Sequence, residues 1–383
     1  MGRVSRNKHI RSTSCFLCLS LLCAICFSST TTAQAIRPPV HLFELSSSAV
    51  LDSLSAYERL SAILEGLFKP IELIRTLNER VIEVGTRHDS SSRTVRVAVV
   101  SDLNGSYGST SYKMPVHRAI DALVDVYKPS LVLSTGDMVA GMKEGLDYEA
   151  MWHGFHAAVT RPLRAAHIPF APTPGNHDGT NRPGFEAERA MYNETWRRYK
   201  PDLNYVDDKH YPRRYAYLHE GVLFVSIDAS TVGKLSSSHR KWLESVLRKQ
   251  RDVKTKIVYG HVPLYPFAQK REREILDDKS LEEMFVKYGV TLYLSGHHHA
   301  YYPGKRENGL RLVSMACLGG GPRVLLGTSE PSPRALLIME IEPDRGIASL
   351  EAYHTDDFTL PVDRAILPSE IGEGDWLIRR DDL

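Results

Sequence analysis

Between residues 94 and 354 the chain alternates short apolar runs with amphipathic ones. TVRVAVVSD, SLVLSTGD, LFVSID, TKIVYGH and VTLYLSGH each carry an apolar, β-branched segment into a Gly, Asp or His turn, the pattern of buried strands closed by breakers. Between several of them lie stretches that read as helices, at 115–127, 147–165, 238–250 and 280–288. Alternating strands and helices predict an α/β domain. Residues 310–354 add RLVSMACL, ALLIMEIE and ASLEAYH with little helix between them, which predicts late antiparallel strands. The combination fits a sheet-on-sheet sandwich flanked by helices over residues 94–355.

The flanks read differently. Leu51, Leu54, Leu60, Ile63, Leu64 and Leu67 recur at helical spacing up to Pro70, and Ile71, Leu73, Ile74, Leu77, Val81 and Ile82 follow. Residues 36–93 are therefore predicted to be a helical N-terminal segment, packed on the main domain, on a partner or on a membrane surface, that ends in the linker HDSSSR (88–93). Residues 356–383, polar with scattered Pro, are expected to form a loosely attached tail. No internal repeat is visible.

Residues 1–35 begin with Arg3, Arg6, Lys8 and Arg11, continue as the apolar run CFLCLSLLCAICF and end in Ala33-Gln34-Ala35. That order predicts a cleavable secretory signal, since the run is shorter than the roughly 20 residues a spanning helix needs. The protein is expected to be secreted or periplasmic, with membrane contact confined to this segment or the N-terminal helices. Removing it turns the formal charge of +2 into −2, because its four Lys/Arg are not matched by any Asp or Glu. A nucleic-acid surface is thereby disfavoured. Four of the five cysteines leave with it, and Cys317, within LVSMACLGGG, is expected in the core. Asn193-Glu-Thr matches a glycosylation acceptor.

The strand ends share one chemistry. Asp102 ends the first apolar run and Asp137 the second; Asn176, His177 and Asp178 follow IPFAPTPG; His261 follows TKIVYG; His297 and His299 follow VTLYLSG. Ligands collect at the carboxyl ends of sheet strands, and carboxylate, amide and imidazole donors together suit Mn, Fe or Zn. No thiolate accompanies them, which argues against a structural zinc site. The donors exceed what one ion needs, which suggests two ions sharing a carboxylate. If residues 297–299 are extended, His297 and His299 face one side and His298 the other.

The ordered series SDLNG (101–105), GD (136–137), GNHD (175–178), GH (260–261) and GHHH (296–299) resembles the calcineurin-like metallophosphoesterases, which include the purple acid phosphatases. The resemblance covers roughly residues 95–355. It implies a four-layer α/β/β/α sandwich and two metal ions (Mn, Fe or Zn). It places Asp102, Asp137 and His299 on the first ion, with Asp137 bridging to a second held also by Asn176, His261 and His297. The family's D-x-H histidine is here Asn104. Three outcomes are open: Asn104 ligates the first ion, Tyr107 swings in as a phenolate, or the first site is weak.

The function so implied is hydrolysis of a small phosphorylated substrate, a phosphomonoester or diester, by a metal-bridged hydroxide. His177 is the candidate acid for the leaving group. Asp178 either orients His177 or caps the turn. Tyr265, Tyr301 and Tyr302 are candidates to line the pocket or pack at its rim, and Arg213 and Arg214 to contact phosphate or solvent. GGGP (319–322), lacking a Lys-Ser/Thr ending, reads as a tight turn near the site. Two rival readings are a phosphorylated-ligand binding protein that lost rate through Asn104, and a metal-dependent nuclease, which the mature charge disfavours.

Overall fold

A computed structural model describes residues 94–358 and 360–383. The predicted signal (1–35) and helical segment with linker (36–93) lie outside the described residues.

Two sheets share one continuous hydrophobic core. The first has five strands. Its centre is β1 (Val95–Val100), parallel to β2 (Leu131–Ser134), which is parallel in turn to the short β3 (Phe170–Ala171). On the other side of β1 the late hairpin of β11 (Ala335–Glu342) and β12 (Gly346–His354) adds antiparallel. β1 and β2 are buried on both faces, as unbroken apolar runs such as VAVV require.

The second sheet has nine strands. β6 (Val222–Ser226), β7 (Lys256–Tyr259), β8 (Leu292–Ser295) and β10 (Arg311–Ser314) are parallel neighbours. β4 (Asn204–His210) and β5 (Arg214–His219) extend one side antiparallel, and β9 (Tyr302–Lys305) the other. The predicted loose tail is instead part of this sheet. β14 (Ile378–Arg380) pairs with β9 and with β13 (Glu370–Ile371), and Ile371 and Ile378 are buried.

The helices α1 (Met114–Ala122), α2 (Tyr148–Phe155), α3 (Arg161–Ala165), α4 (Glu186–Arg198), α5 (Ser237–Lys249) and α6 (Lys279–Lys287) complete the α/β/β/α sandwich. Asp147, Ser236 and Asp278 cap α2, α5 and α6, each accepting from an amide three residues on. Among the described residues no helix is long and apolar enough to cross a membrane.

α4 is the helix that hydrophobic periodicity does not announce. Its sequence EAERAMYNETWRR buries Tyr192, Thr195 and Trp196 rather than aliphatics. The Asn193 acceptor therefore lies inside a helix, with Thr195 Oγ1 3.2 Å from His156 Nε2 in the interior, and not on an exposed loop. Cys317 is fully buried, as expected of a core residue.

Candidate metal centre and its cleft

The loops that follow β1, β2, β3, β7 and β8 meet at one point. They are knitted there by backbone bonds: Asp102 N–H to Gly136 O at 3.1 Å, Asn104 N–H to Asp137 O at 3.1 Å, and Gly296 N–H to His261 O at 2.9 Å. Asp102, Asp137, His297 and His299 all have positive φ, at 48°, 56°, 64° and 50°. Each such non-glycine residue costs on the order of 1–2 kcal/mol, so the surrounding bonds must over-determine these turns. The loops touch so closely that Gly175 has no room for a side chain. A Cβ there would sit 2.1 Å from Asp137 Oδ1. The GGG run fits the same way, since a Cβ on Gly319 would sit 1.8 Å from Leu103 O.

The positive φ values revise the expectation for the histidine triplet. Residues 297–299 are not extended, so strict alternation does not operate. His298 nevertheless turns away: its Nδ1 accepts from Phe267 N–H at 3.0 Å, and its Nε2 lies 3.0 Å from Glu274 O. Burial holds its imidazole low, at about 3, which suits a neutral packing residue.

The two carboxylates are arranged alike. Asp102 Oδ2 accepts from Ser101 Oγ at 2.5 Å and from His297 N–H at 3.2 Å, while Oδ1 lies 2.9 Å from His299 Nε2. Asp137 Oδ1 accepts from His177 N–H at 2.8 Å, while Oδ2 lies 3.4 Å from His261 Nε2. Both imidazoles are fixed from behind: His261 Nδ1 is 2.9 Å from Thr135 O, and His299 Nδ1 is 2.8 Å from Gly321 O. A ring that donates Nδ1–H to a carbonyl presents Nε2 as its free donor atom, the usual support of a metal-binding histidine. Asn176 Oδ1 is also 2.8 Å from His261 Nε2. Donor atoms of Asp102, Asp137 and His261 all lie within 4.8 Å of one another.

Charge accounting points the same way. Burial would raise the Asp102 carboxyl, but His299 overcomes it and holds the group at about 2. Burial likewise opposes His299 and His261, yet Asp102 and Asp137 lift them to about 10 and about 9. Asp137 is held below its usual range by His261 and His177 against the same burial. Two buried anions thus demand positive charge here. His297 Nε2 is buried and 3.0 Å from Glu274 Oε2, but out of line for a hydrogen bond. An orphaned imidazole nitrogen, two anions and an amide oxygen fit cations of the Mn, Fe or Zn kind.

Asp102, Asp137 and His261 thus form one cluster, which His299 joins through Asp102 and Asn176 through His261. His297 lies beside them, its ring 5.0 Å from that of His261 and its Nε2 3.0 Å from Glu274 Oε2. Asn104 is buried and lines the same cleft. Tyr107 leans on His177 instead, with ring centroids 5.5 Å apart, which does not favour the phenolate alternative. His177 lines the cleft, its Nδ1 3.4 Å from Gly141 O.

Asp178 does not touch the His177 ring. Its oxygens accept from Gly175 N–H and Met138 N–H, both at 2.6 Å, so it ties the GNHD loop to the GD loop. Tyr301 and Tyr302 are buried in the core, Tyr265 bonds Glu282, and Arg213 pairs with Asp228 at 2.6 Å. Arg214 lies over Trp242. None of the five lines the cleft.

The cleft above the cluster has a volume of about 790 Å3 and also admits Arg182, Arg271, Glu274 and Arg323. Arg323 donates to the His297 carbonyl, and Arg271 pairs with Glu274 at 2.5 Å. The sequence reading passed over these residues because no motif marks them.

Residues 95–301 match the calcineurin-like phosphoesterase family. A protein of Arabidopsis thaliana that carries a metallophosphoesterase name is 25% identical over 260 residues, 58% of this chain and 31% of that protein. Tartrate-resistant acid phosphatase type 5 of Oryctolagus cuniculus is 34% identical over 80 residues, 21% of this chain and 24% of the phosphatase. The chain spans less than a third of the length of these curated relatives. Purple acid phosphatase PPD1 from yellow lupin (Lupinus luteus) seeds superposes with a TM-score of 0.55 at 16% identity, covering 72% of this chain and 54% of that one. That likeness is one of fold.

Proposed function

Because the chain belongs to the calcineurin-like phosphoesterase family, we propose that it is a secreted, metal-dependent hydrolase of phosphoester bonds in small substrates. The observation that carries this reading is the convergence of Asp102, Asp137, Asn176, His261 and His299, of which Asp137, Asn176 and His299 line an open cleft. Secretion rests on the order of basic, apolar and small residues in 1–35. N-terminal sequencing of the mature protein is expected to begin after Ala35, and retention of Arg3–Arg11 contradicts it.

Asp102, Asp137, Asn176, His261 and His299 would hold the cations, with Asn104 and His297 beside them. A bound pair supplies Lewis acidity, which lowers the pKa of water and offsets phosphoryl charge. The protein's own work is positional. His261 and His299 keep Nε2 aimed inward through their carbonyl partners, and Asp102 and Asp137 keep one oxygen each on peptide N–H groups. Arg323 adds a guanidinium beside the cluster that attracts phosphoryl oxygens. His177, on the cleft wall with its Nδ1 side towards Gly141 O, would present a proton at Nε2 to the departing alkoxide.

Turnover of an aryl phosphate and of a diester by Mn-loaded protein tests the reading, with Asp137→Asn expected to reduce it sharply. Tight phosphate binding without turnover in the parent protein instead supports a capture protein, the reading that Asn104 in place of histidine favours. Either result is decided by this one comparison.

A further inference from the structure

The cleft has two unlike walls. Beside His297 and His299 it is charged, lined by Arg271, Glu274 and Arg323; beside His177 it is lined by Tyr107, Ala140 and Met142. Tyr107 is 58% exposed. Among the described residues Tyr107 is the one exposed Phe, Tyr or Trp. It is held in place nonetheless. Gly108 N–H bonds Ala140 O at 3.0 Å, and the tyrosine ring leans on the His177 ring at 5.5 Å with 53° between the planes. An aromatic ring kept exposed against the residue that faces the leaving oxygen has no packing reason to be there.

We propose that Tyr107 is a specificity-determining residue, and that the preferred substrate is a phosphoester whose leaving group is an aromatic alcohol. This rests on the reading of His177 as the residue on the leaving side. The oxygen that departs towards His177 carries its substituent with it, and the surface available to that substituent is Tyr107 and Met142. A flat ring stacks on Tyr107, while a flexible alkyl chain gains only area. Aromatic pairs contribute beyond area burial by an amount equivalent to about threefold to tenfold in affinity. The opposite wall offers guanidinium groups suited to phosphoryl oxygens. A cleft of this size has room for both portions.

The test compares phenyl with n-butyl phosphate in the Mn-loaded full chain, by kcat/KM, and phenylphosphonate with n-butylphosphonate, by calorimetric binding. It uses the parent protein, Tyr107→Ala and Tyr107→Phe, each checked for unchanged circular dichroism. Because phenolate is intrinsically the better leaving group, only the change in the phenyl-to-butyl ratio between variants counts. Tyr107→Ala is expected to lower that ratio about threefold to tenfold in both measurements, and Tyr107→Phe to keep it. If the ratio is unchanged in Tyr107→Ala, or neither phosphonate binds, the inference is overturned. If neither ester is hydrolysed but phenylphosphonate binding still depends on Tyr107, the hydrolase reading fails while the aromatic site stands.

Discussion

His177 meets Asp137 through its backbone, not its ring, because the peptide N–H donates to Oδ1. Removing the imidazole therefore leaves the carboxylate tied. His177→Ala is expected to keep its metal content while turnover falls by ~10²–10⁴-fold, the range of a well-placed general acid. Metal analysis beside kinetics checks this, and loss of metal would recast His177 as a ligand. The other residues of the cluster show what residue types alone convey. Asp102 and Asp137 were legible because each ends an apolar run in a turn. Glu274 was not, because it comes from a polar segment, KREREILDD, whose proximity to His297 exists only once the loops are folded. In the histidine triplet, local left-handed turns rather than strand alternation separate His298 from its neighbours, and His297 Nε2 lies 3.0 Å from Glu274 Oε2.

At the level of elements, the loop from Ala140 to Met142 shows how the site is braced from a distance. Glu188 of α4 is buried, and its Oε2 accepts from Met142 N–H at 2.5 Å. Gly141 N–H donates to His177 O at 2.7 Å, and Asn176 Nδ2 lies 3.3 Å from Met142 Sδ. A Cβ on Gly141 would sit 2.3 Å from Glu188 Oε2 and 2.5 Å from His177 O. Gly141→Ala is thus expected to destabilise the fold by about 1–3 kcal/mol, the usual cost of overpacking, and to weaken catalysis by displacing His177. Thermal melts that match the parent protein would show that α4 does not brace the loop. α4 and the β4–β5 hairpin escaped the sequence reading because their cores are built from Tyr and Trp with charged residues between. The central strands were plain because β-branched runs buried on both faces have few other uses. The last strands were hidden because edge pairing needs only the short apolar anchors of Ile371 and Ile378.

For the molecule as a whole, the cluster ties stability to pH in opposite senses with and without cations. In chelated protein, His261 and His299 titrate at about 9 and about 10, against 6.5 ordinarily, and Asp102 at about 2, against 3.8. A raised imidazole contributes its full stabilisation below about pH 6.5 and loses it as pH climbs through 9–10. A depressed carboxyl contributes above 3.8 and loses it as pH falls towards 2. The Tm contribution of these pairs is therefore expected to be largest between about pH 4 and 6.5 and to fall from there to pH 10. Cations reverse the upper limb, because they bind neutral imidazole and are favoured as protons leave. Melts at pH 6 and 9.5, with chelator and with Mn, read both signs; no change in the Mn-induced shift between the two pH values would contradict the account.

Elemental analysis of the purified, Mn-equilibrated protein reads whether the five loops close around a pair of cations. Two metal equivalents per chain, falling to one or none in Asp137→Asn, is the predicted result. A chain that retains no metal, or whose metal content is indifferent to Asp137→Asn, would contradict it.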